Sequence, residues 1–505
     1  MEQSNLKIKI ASKEEDYSQW YLDVAKAWDL FEYSPTPGCI IFKPKSVTLW
    51  ETMKAAMNKD LSKLGVQNVY LPLLIPMSFF EKEKDHVAWF APELAVVTHG
   101  WWKELEDKLA IRPTSETMFC EYFRWELQSY RDLPILTNQW VNVMRWEKRT
   151  RPFLRTAEFY WQEWHTLHET KDEAKQFALD ILFNVYIKNL QEQMAIFWVA
   201  GQKSESEKFA WADMTFTYEP MMSNGWALQI CTSHLLWQGF MEQFDVSFLG
   251  REWKKEFPCY TSWGLSTRSI GWLISSHSDQ KWLIIPPKMS EYKAVILPIY
   301  WKENQAEVDA YIKNIWESII GKIEGDWVPV KWEYFKAFVW DNWDKIMSDR
   351  RDARFWEKIT DFELSGYPVA IVVWQKEMEA GLCTVISRIT WEKVQVNVSD
   401  ASAQVDKFLS EWQAELFRRS RERLEKNIVP CRSLEEVWKA IEDGKFAIYE
   451  WDKSDNNNNS KFESEIKERF KATTRCIPNP GQLKIIDDFE LKDKDNIKIL
   501  VARAF

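Results

Sequence analysis

The sequence predicts a mixed α and β chain divided into about three units. Three observations predict it. The length, 505 residues, exceeds what a single hydrophobic core serves. An apolar content of 46% is enough to fill several cores. The pattern also changes along the chain: strand-like runs around a basic loop in the first half, strand and helix in alternation beyond Pro286 and Pro287, and a further unit after a long helix. The net charge of −10 provides no chain-wide field for nucleic acid, so any such contact must come from local basic patches. Cys39, Cys120, Cys231, Cys259, Cys383, Cys431 and Cys476 contain no CxxC pair, which fits reduced thiols in a cytoplasmic protein better than a disulfide framework. The N-terminal stretch is polar, without a signal-peptide core, and no run approaches the ~18 consecutive apolar residues of a membrane span.

Residues 14–37 read as a leading helix and a loop with Pro35 and Pro37. From Ser46 to Leu64 the apolar positions Val47, Trp50, Met53, Met57, Leu61 and Leu64 keep a helical stripe, and Gly65 stands where a C-terminal cap belongs. The strand-like run Asn68–Ile75 carries Pro72, which suits an edge or an interface. Thr114 is placed to cap a helix over residues 115–130, with Glu116 in its first turn.

The most informative stretch follows. Two strand-like runs, residues 141–147 and 158–163, enclose Lys148, Arg149, Arg151 and Arg155, with Pro152 stiffening the turn. Alternation puts Arg145 and Glu147 on one face of the first run, and Phe159, Trp161 and Glu163 on one face of the second. Guanidinium groups suit phosphates and an aromatic face suits a planar base. From these residues alone, a solvated hairpin with a charged tip fits equally well. Lys171 to Ala200 reads as helix. Gln229, Thr232 and His234 alternate with apolar neighbours, as on a strand facing a cleft. Ser266 and Arg268 occupy a strand-to-helix turn, a sound place for a phosphate.

Beyond Pro287, strand 294–299, helix 304–320, strand 328–332 and strand 367–373 form a βαβ pattern. The helix over residues 401–424 ends in Arg418, Arg419, Arg421 and Arg423, a basic end that is either solvated or turned to phosphates. Composition shows one anomaly. There are 31 Trp and only 15 Gly, against an average glycine usage of about 7%. Tryptophan stands where turns want glycine, as at Trp101, Trp102, Trp226 and Trp391. The expectation is that many of these positions are glycine in the protein made by its own cells, through reading of UGA as glycine.

In order, these segments resemble the motifs of class II aminoacyl-tRNA synthetases, with wording similar to the prolyl-tRNA synthetase family. The helix, strand and Pro72 resemble motif 1. Arg145-Trp-Glu147, Arg155-Thr156 and Phe159-Tyr-Trp-Gln-Glu163 resemble motif 2, and Thr261–Gly271 with Arg268 resembles motif 3. Arg112-Pro-Thr-Ser-Glu-Thr117 and Thr232-Ser-His234 resemble the family's amino-acid-binding elements, residues 363–371 its anticodon-binding domain, and residues 472–478 and 500–505 its C-terminal domain.

The resemblance implies an α+β catalytic domain with an antiparallel sheet over residues 1–285. An α/β anticodon-binding domain would cover 286–400, and a small α+β C-terminal domain 401–505. It implies ATP-driven ligation of L-proline to tRNA(Pro) by a homodimer using Mg²⁺. Arg145 and Arg268 would be catalytic. ATP would meet Arg145, Glu147, Arg155, Thr156, Phe159, Gln229, Thr232, Ser266 and Arg268. Proline would meet Thr114, Glu116, Arg145, Trp161, Glu163 and His234. Glu163 and Arg268 stand too close together for a large editing insertion between motifs 2 and 3, and none is expected. The related C-terminal domain often binds zinc through four cysteines. With only Cys431 and Cys476 in this tail, no structural zinc is expected but an apolar core instead. The family has glycine at the position of Trp164, beside the substrate, so an indole there is expected to fill ligand space. Trp211, Trp237 and Trp272 raise the same concern. A sister class II synthetase, such as one for threonine, and a non-catalytic tRNA-binding relative share most of these features.

Overall fold

Helical spacing of apolar side chains builds the first layer. In the computed structural model, α1 (Tyr17–Ala27) and α2 (Pro44–Lys63) bury Trp20, Tyr21, Trp50, Met53, Met57 and Leu61 in one core. Gly65 follows α2 with φ +78°, a left-handed turn that glycine takes without strain. The structure describes residues 9–81, 94–209, 212–299, 305–321, 328–331, 334–338, 345–349, 351, 353–452 and 454–504. Trp211 and part of the 328–332 strand expectation lie outside them.

The first unit is an antiparallel sheet. Its strands are β1 (Gln67–Asn68), β2 (Ile135–Met144), β3 (Glu158–His168), β4 (Val199–Gln202), β5 (Met214–Glu219), β6 (Cys231–Trp237) and β7 (Cys259–Ser266). They run in the order β1-β2-β3-β7-β6-β5-β4, and only the β1–β2 pair is parallel. Helices α3 (Glu116–Glu126), α4 (Lys171–Ile181) and α5 (Arg268–His277) flank it. Thr170 and Glu173 form a reciprocal capping box at the start of α4. The α3 expectation needs correction. The cap position is Ser115, without a side-chain cap bond, and the Thr114 hydroxyl donates instead to the Glu116 carboxylate. The helix ends at Glu126, and residues 130–132 form a separate turn.

Alternation along β3 decides where Trp164 points. Glu163 and His165 face Ser115, Gln139 and Phe119. Trp164 faces the other way and packs on Phe177 of α4 and Trp263 of β7. The expectation that its indole occupies ligand space is therefore corrected: it lies behind the sheet. Trp272 is buried in α5, and Trp237 stands at a bulge of β6 under Lys171.

The second unit is a mixed sheet. Parallel β8 (Ala294–Ile299), β11 (Lys345–Asp349) and β12 (Val369–Trp374) form its centre. Antiparallel β9 (Val328–Lys331), β10 (Tyr334–Phe338), β13 (Leu382–Ser387) and β14 (Lys393–Asn397) form its margins. Helix α6 (Gln305–Ile320) covers one face and shares a core with Val405 and Phe408 of α7 (Ala401–Lys426). Farther along α7, Trp412 and Leu416 pack on Ala195 and Ile284 of the first unit, and Leu424 joins the third. One helix thus fastens all three units.

The third unit contributes β15 (Ile428–Pro430), β16 (Phe446–Trp451), β17 (Ala472–Pro478) and β18 (Ile497–Arg503). Its sheet does not end at its own border. β17 pairs with β4 through Ile477–Gln202 and Pro478–Gly201, giving eleven consecutive strands. Gly201 makes the junction possible, since a Cβ there would lie 2.3 Å from the Ile477 carbonyl oxygen. Cys431 packs with Val437 and Ala440, whereas Cys476 is buried in a different cluster with Val199.

Ten non-glycine residues among those described take positive φ, and five are tryptophan: Trp101 (52°), Trp102 (67°), Trp237 (43°), Trp253 (61°) and Trp391 (57°). Trp101 and Trp102 occupy the turn between two strands, and Trp391 the turn joining β13 to β14. The buried indole N–H groups of Trp164, Trp263 and Trp272 have no hydrogen-bond partner among the described residues.

Candidate active site

The β2–β3 hairpin and the β7–α5 turn meet, the Thr267 backbone N–H donating to the Tyr160 carbonyl at 2.9 Å. Arg145 follows β2, and its guanidinium lies 5.7 Å from the Phe159 ring centre and 5.4 Å from that of Trp161. Its Nε donates to the Pro113 carbonyl at 3.1 Å, which fixes the hairpin to the Arg112–Thr117 segment. Phe159 and Trp161 stand edge to face at 6.1 Å. Arg155 pairs with Glu147 at 3.3 Å across the connecting loop. Thr156 is buried beside them.

Arg268 opens α5. Its Nε donates to the Leu154 carbonyl at 2.9 Å and its Nη1 to the Gln229 carbonyl at 3.1 Å. Its backbone N–H donates to Ser266 Oγ. Burial pulls the Arg268 guanidinium down to about 10, and the nearby charges of Arg155 and Arg145 act in the same direction, against Glu147. It remains protonated at neutral pH. Three guanidinium groups held this close, with one carboxylate to offset them, form a strongly positive cradle for a polyanion. The half-buried rings of Phe159 and Trp161 lie beside it. Gln229, Thr232 and Ser266 line the same side: Gln229 through its carbonyl, Ser266 opposite Trp161, Thr232 opposite Thr217.

A second, neutral-to-acidic pocket adjoins it. Glu163 accepts from Ser115 Oγ at 2.5 Å and from Gln139 Nε2 at 2.6 Å, and His165 Nε2 lies 3.2 Å from its other oxygen. His165 Nδ1 meets the Tyr260 hydroxyl, and its ring stacks on Phe119 at 3.9 Å. Glu116 is held by Thr114. His234 Nδ1 lies 3.0 Å from Thr215 Oγ1, and its ring is 4.8 Å from Phe209. Burial lowers His234 to about 4, with the Glu116 charge opposing the shift, so the imidazole is neutral at physiological pH. The Trp161 indole N–H is buried without a partner among the described residues.

The structure therefore brings together Thr114, Glu116, Arg145, Glu147, Arg155, Thr156, Phe159, Trp161, Glu163, Gln229, Thr232, His234, Ser266 and Arg268. Sequence reasoning missed Ser115, Gln139, His165, Thr215 and Tyr260. His165 was detectable, since it continues the alternation Phe159, Trp161, Glu163; the others lie on separate elements, Ser115 at the start of α3 and the rest on other strands, and needed the fold. Among the described residues, no three His, Cys, Asp or Glu side chains group as a metal site. A magnesium ion arriving with a nucleotide takes most of its ligands from phosphate and water.

Residues 97–277 match the tRNA synthetase class II core domain (G, H, P, S and T), and residues 337–408 match an anticodon binding domain. The chain is 42% identical to a proline–tRNA ligase of Chlorobium limicola, covering 93% of this chain and 92% of that protein. It is 41% identical to that of Chlorobaculum tepidum, over 94% of each. With the proline–tRNA ligase of Bacteroides fragilis the identity is 40%, over 98% of this chain and 96% of the relative. The fold, the paired pockets and this full-length similarity together make the chain a member of the proline–tRNA ligase family of class II aminoacyl-tRNA synthetases.

Proposed function

We propose that this enzyme activates L-proline with ATP and transfers it to the 3′ end of tRNA(Pro). The observation that supports this most directly is the adjacency of the arginine cradle, Arg145, Arg155 and Arg268, to the pocket of Glu116, Glu163 and His234. The proline carboxylate attacks the ATP α-phosphorus, the bond to the β-phosphate oxygen breaks, and pyrophosphate leaves. A terminal ribose hydroxyl of tRNA then attacks the acyl carbon, and AMP leaves with the bonding electron pair. Arg145, at the boundary, offsets charge on both the carboxylate and the α-phosphate. Arg155 and Arg268 hold the outer phosphates; Phe159 stacks on adenine and Glu147 accepts from its edge. Glu116 and Glu163 meet the secondary ammonium, while Trp161 and neutral His234 shape an apolar wall for the ring. Catalysis is by positioning and charge stabilisation, without a covalent enzyme intermediate.

Residues 337–408, within the anticodon-binding family match, are assigned to tRNA contact. The exposed Tyr70, Leu73 and Leu74 around Pro72 are assigned to a homodimer interface. A cytoplasmic location accords with the seven free cysteines, and no helix among the described residues is long and apolar enough to cross a membrane. The test is ATP–pyrophosphate exchange with each amino acid in turn. Exchange that depends on proline is expected. Exchange driven by threonine, or none by a folded protein that still binds tRNA, refutes the assignment.

A further inference from the structure

The sheet junction between the first and third units hides a charged centre that the proposed chemistry does not use. Glu219, the last residue of β5, has no exposed surface. Its Oε2 accepts from Arg475 Nε at 2.8 Å and Nη2 at 2.6 Å, a bidentate pair across the border of the two units. Its Oε1 accepts from Lys203 Nζ at 2.7 Å and Thr217 Oγ1 at 2.8 Å. Burial alone would raise the Glu219 carboxyl, but the charges of Arg475 and Lys203 outweigh it and hold it below its usual range. A centre this buried is costly to build and specifies one geometry when every partner is in place.

The geometry it specifies leads to the substrate pockets. Thr215, Thr217 and Glu219 share one face of β5. In the β5–β6 register, Thr217 stands opposite Thr232 and Thr215 opposite His234. Thr215 Oγ1 also holds His234 Nδ1, and the Lys203 backbone N–H donates to the Thr215 carbonyl at 2.8 Å. A continuous polar row thus runs from Arg475 of the third unit to the imidazole of the proposed proline pocket. On the nucleotide side, Arg475 adds its charge to the field on Arg268.

We propose that Glu219 is a positioning residue through which the C-terminal unit sets the proline pocket: Arg475 locks Glu219, and Glu219 and Lys203 fix the β5 row that presents Thr232 and His234. This rests on the proline-activation reading above. A second polar bridge across the same junction supplies the control. Glu463 accepts from Ser204 at 2.7 Å, from Ser206 at 2.5 Å and from Thr474 at 2.6 Å, yet it does not touch the row.

The experiment compares Arg475→Lys, which keeps the charge and loses the two-pronged contact, with Glu463→Gln in the full-length protein. Proline-dependent exchange gives KM and kcat, and urea unfolding gives stability. Arg475→Lys should raise the KM for proline about tenfold, within the range carried by packed networks, with a smaller change in kcat. Glu463→Gln should shift the urea midpoint comparably and leave KM unchanged. An unchanged KM in Arg475→Lys, or an equal rise in Glu463→Gln, overturns the proposal. Absence of proline dependence in the unaltered protein removes both this proposal and the functional assignment, so the two failures are distinct.

Discussion

Replacing tryptophan by glycine should stabilise this protein at Trp101, Trp102 and Trp253. All three take positive φ, where a Cβ costs roughly 1–2 kcal/mol. Glycine removes that cost but enlarges the unfolded ensemble, at about 0.5–1 kcal/mol. The net gain is then about 0.5–1 kcal/mol for each site. Little packing is lost in exchange, since Trp101 is 95%, Trp102 99% and Trp253 82% exposed. Trp101 and Trp102 share one turn and are not independent, so the sum over that turn and Trp253 is about 1–2 kcal/mol. The assay is urea unfolding followed by far-UV circular dichroism, which does not depend on the indoles removed. A three-unit protein need not unfold in one step, so the transition of the first unit is the one compared. A lower midpoint in the triple variant would refute the backbone argument.

The same positions carry a chemical prediction: protein isolated from its own cells should have an intact mass lower than the written sequence by an indolylmethyl-for-hydrogen difference at each glycine-read codon. Codons other than UGA at Trp101, Trp102 and Trp391 would sink that expectation. Arg268→Lys should lower kcat for exchange about 10²–10³-fold, as loss of a transition-state charge donor does elsewhere, with the fold checked by circular dichroism; an unchanged kcat would remove Arg268 from the phosphate site. Ser115→Ala should raise the KM for proline without changing that for ATP, since it releases Glu163 and not the arginine cradle. Acid should destabilise the protein as pH falls from about 6.5 towards about 4. His168 and His234 are lowered to about 4, and His277 to about 3, by burial. Each is neutral when folded and charges only when unfolded across that window, so the unfolded state binds more protons and stability rises with pH, by at most about 1.4 kcal/mol per pH unit per group. His277→Gln should flatten the slope in urea titrations at successive pH values, and an unchanged slope would show that His277 does not contribute.

Much of the candidate site was legible in the chain because it is local. Arg145, Glu147, Phe159, Trp161 and Glu163 lie on two strands of one hairpin, and a period of two assigns their faces without any knowledge of the fold. Arg268 was legible because a strand-to-helix turn exposes backbone donors wherever it occurs. What failed has physical reasons too. Thr114 looked like a cap, but a nearby carboxylate competes for its hydroxyl. Trp164 looked like an obstruction because adjacency in sequence was taken for adjacency in space, whereas alternate residues of a strand face opposite layers. Ser115, Gln139, Thr215 and Tyr260 come from separate elements, and only strand register places them around Glu163 and His234. The joining of β17 to β4 has no sequence signal, since a glycine such as Gly201 specifies close approach but not the partner.

That joining has a consequence for the timing of synthesis. β4 leaves the ribosome long before β17, and a vectorially made chain folds its early parts first. Until the last strands arrive, β4 is a bare edge beside a glycine, open to association with other chains. Arrival of β17 therefore both closes an aggregation-prone margin and delivers Arg475 to Glu219. A truncated chain, released early by a stalled ribosome, would carry every motif of the first unit and still present that open edge.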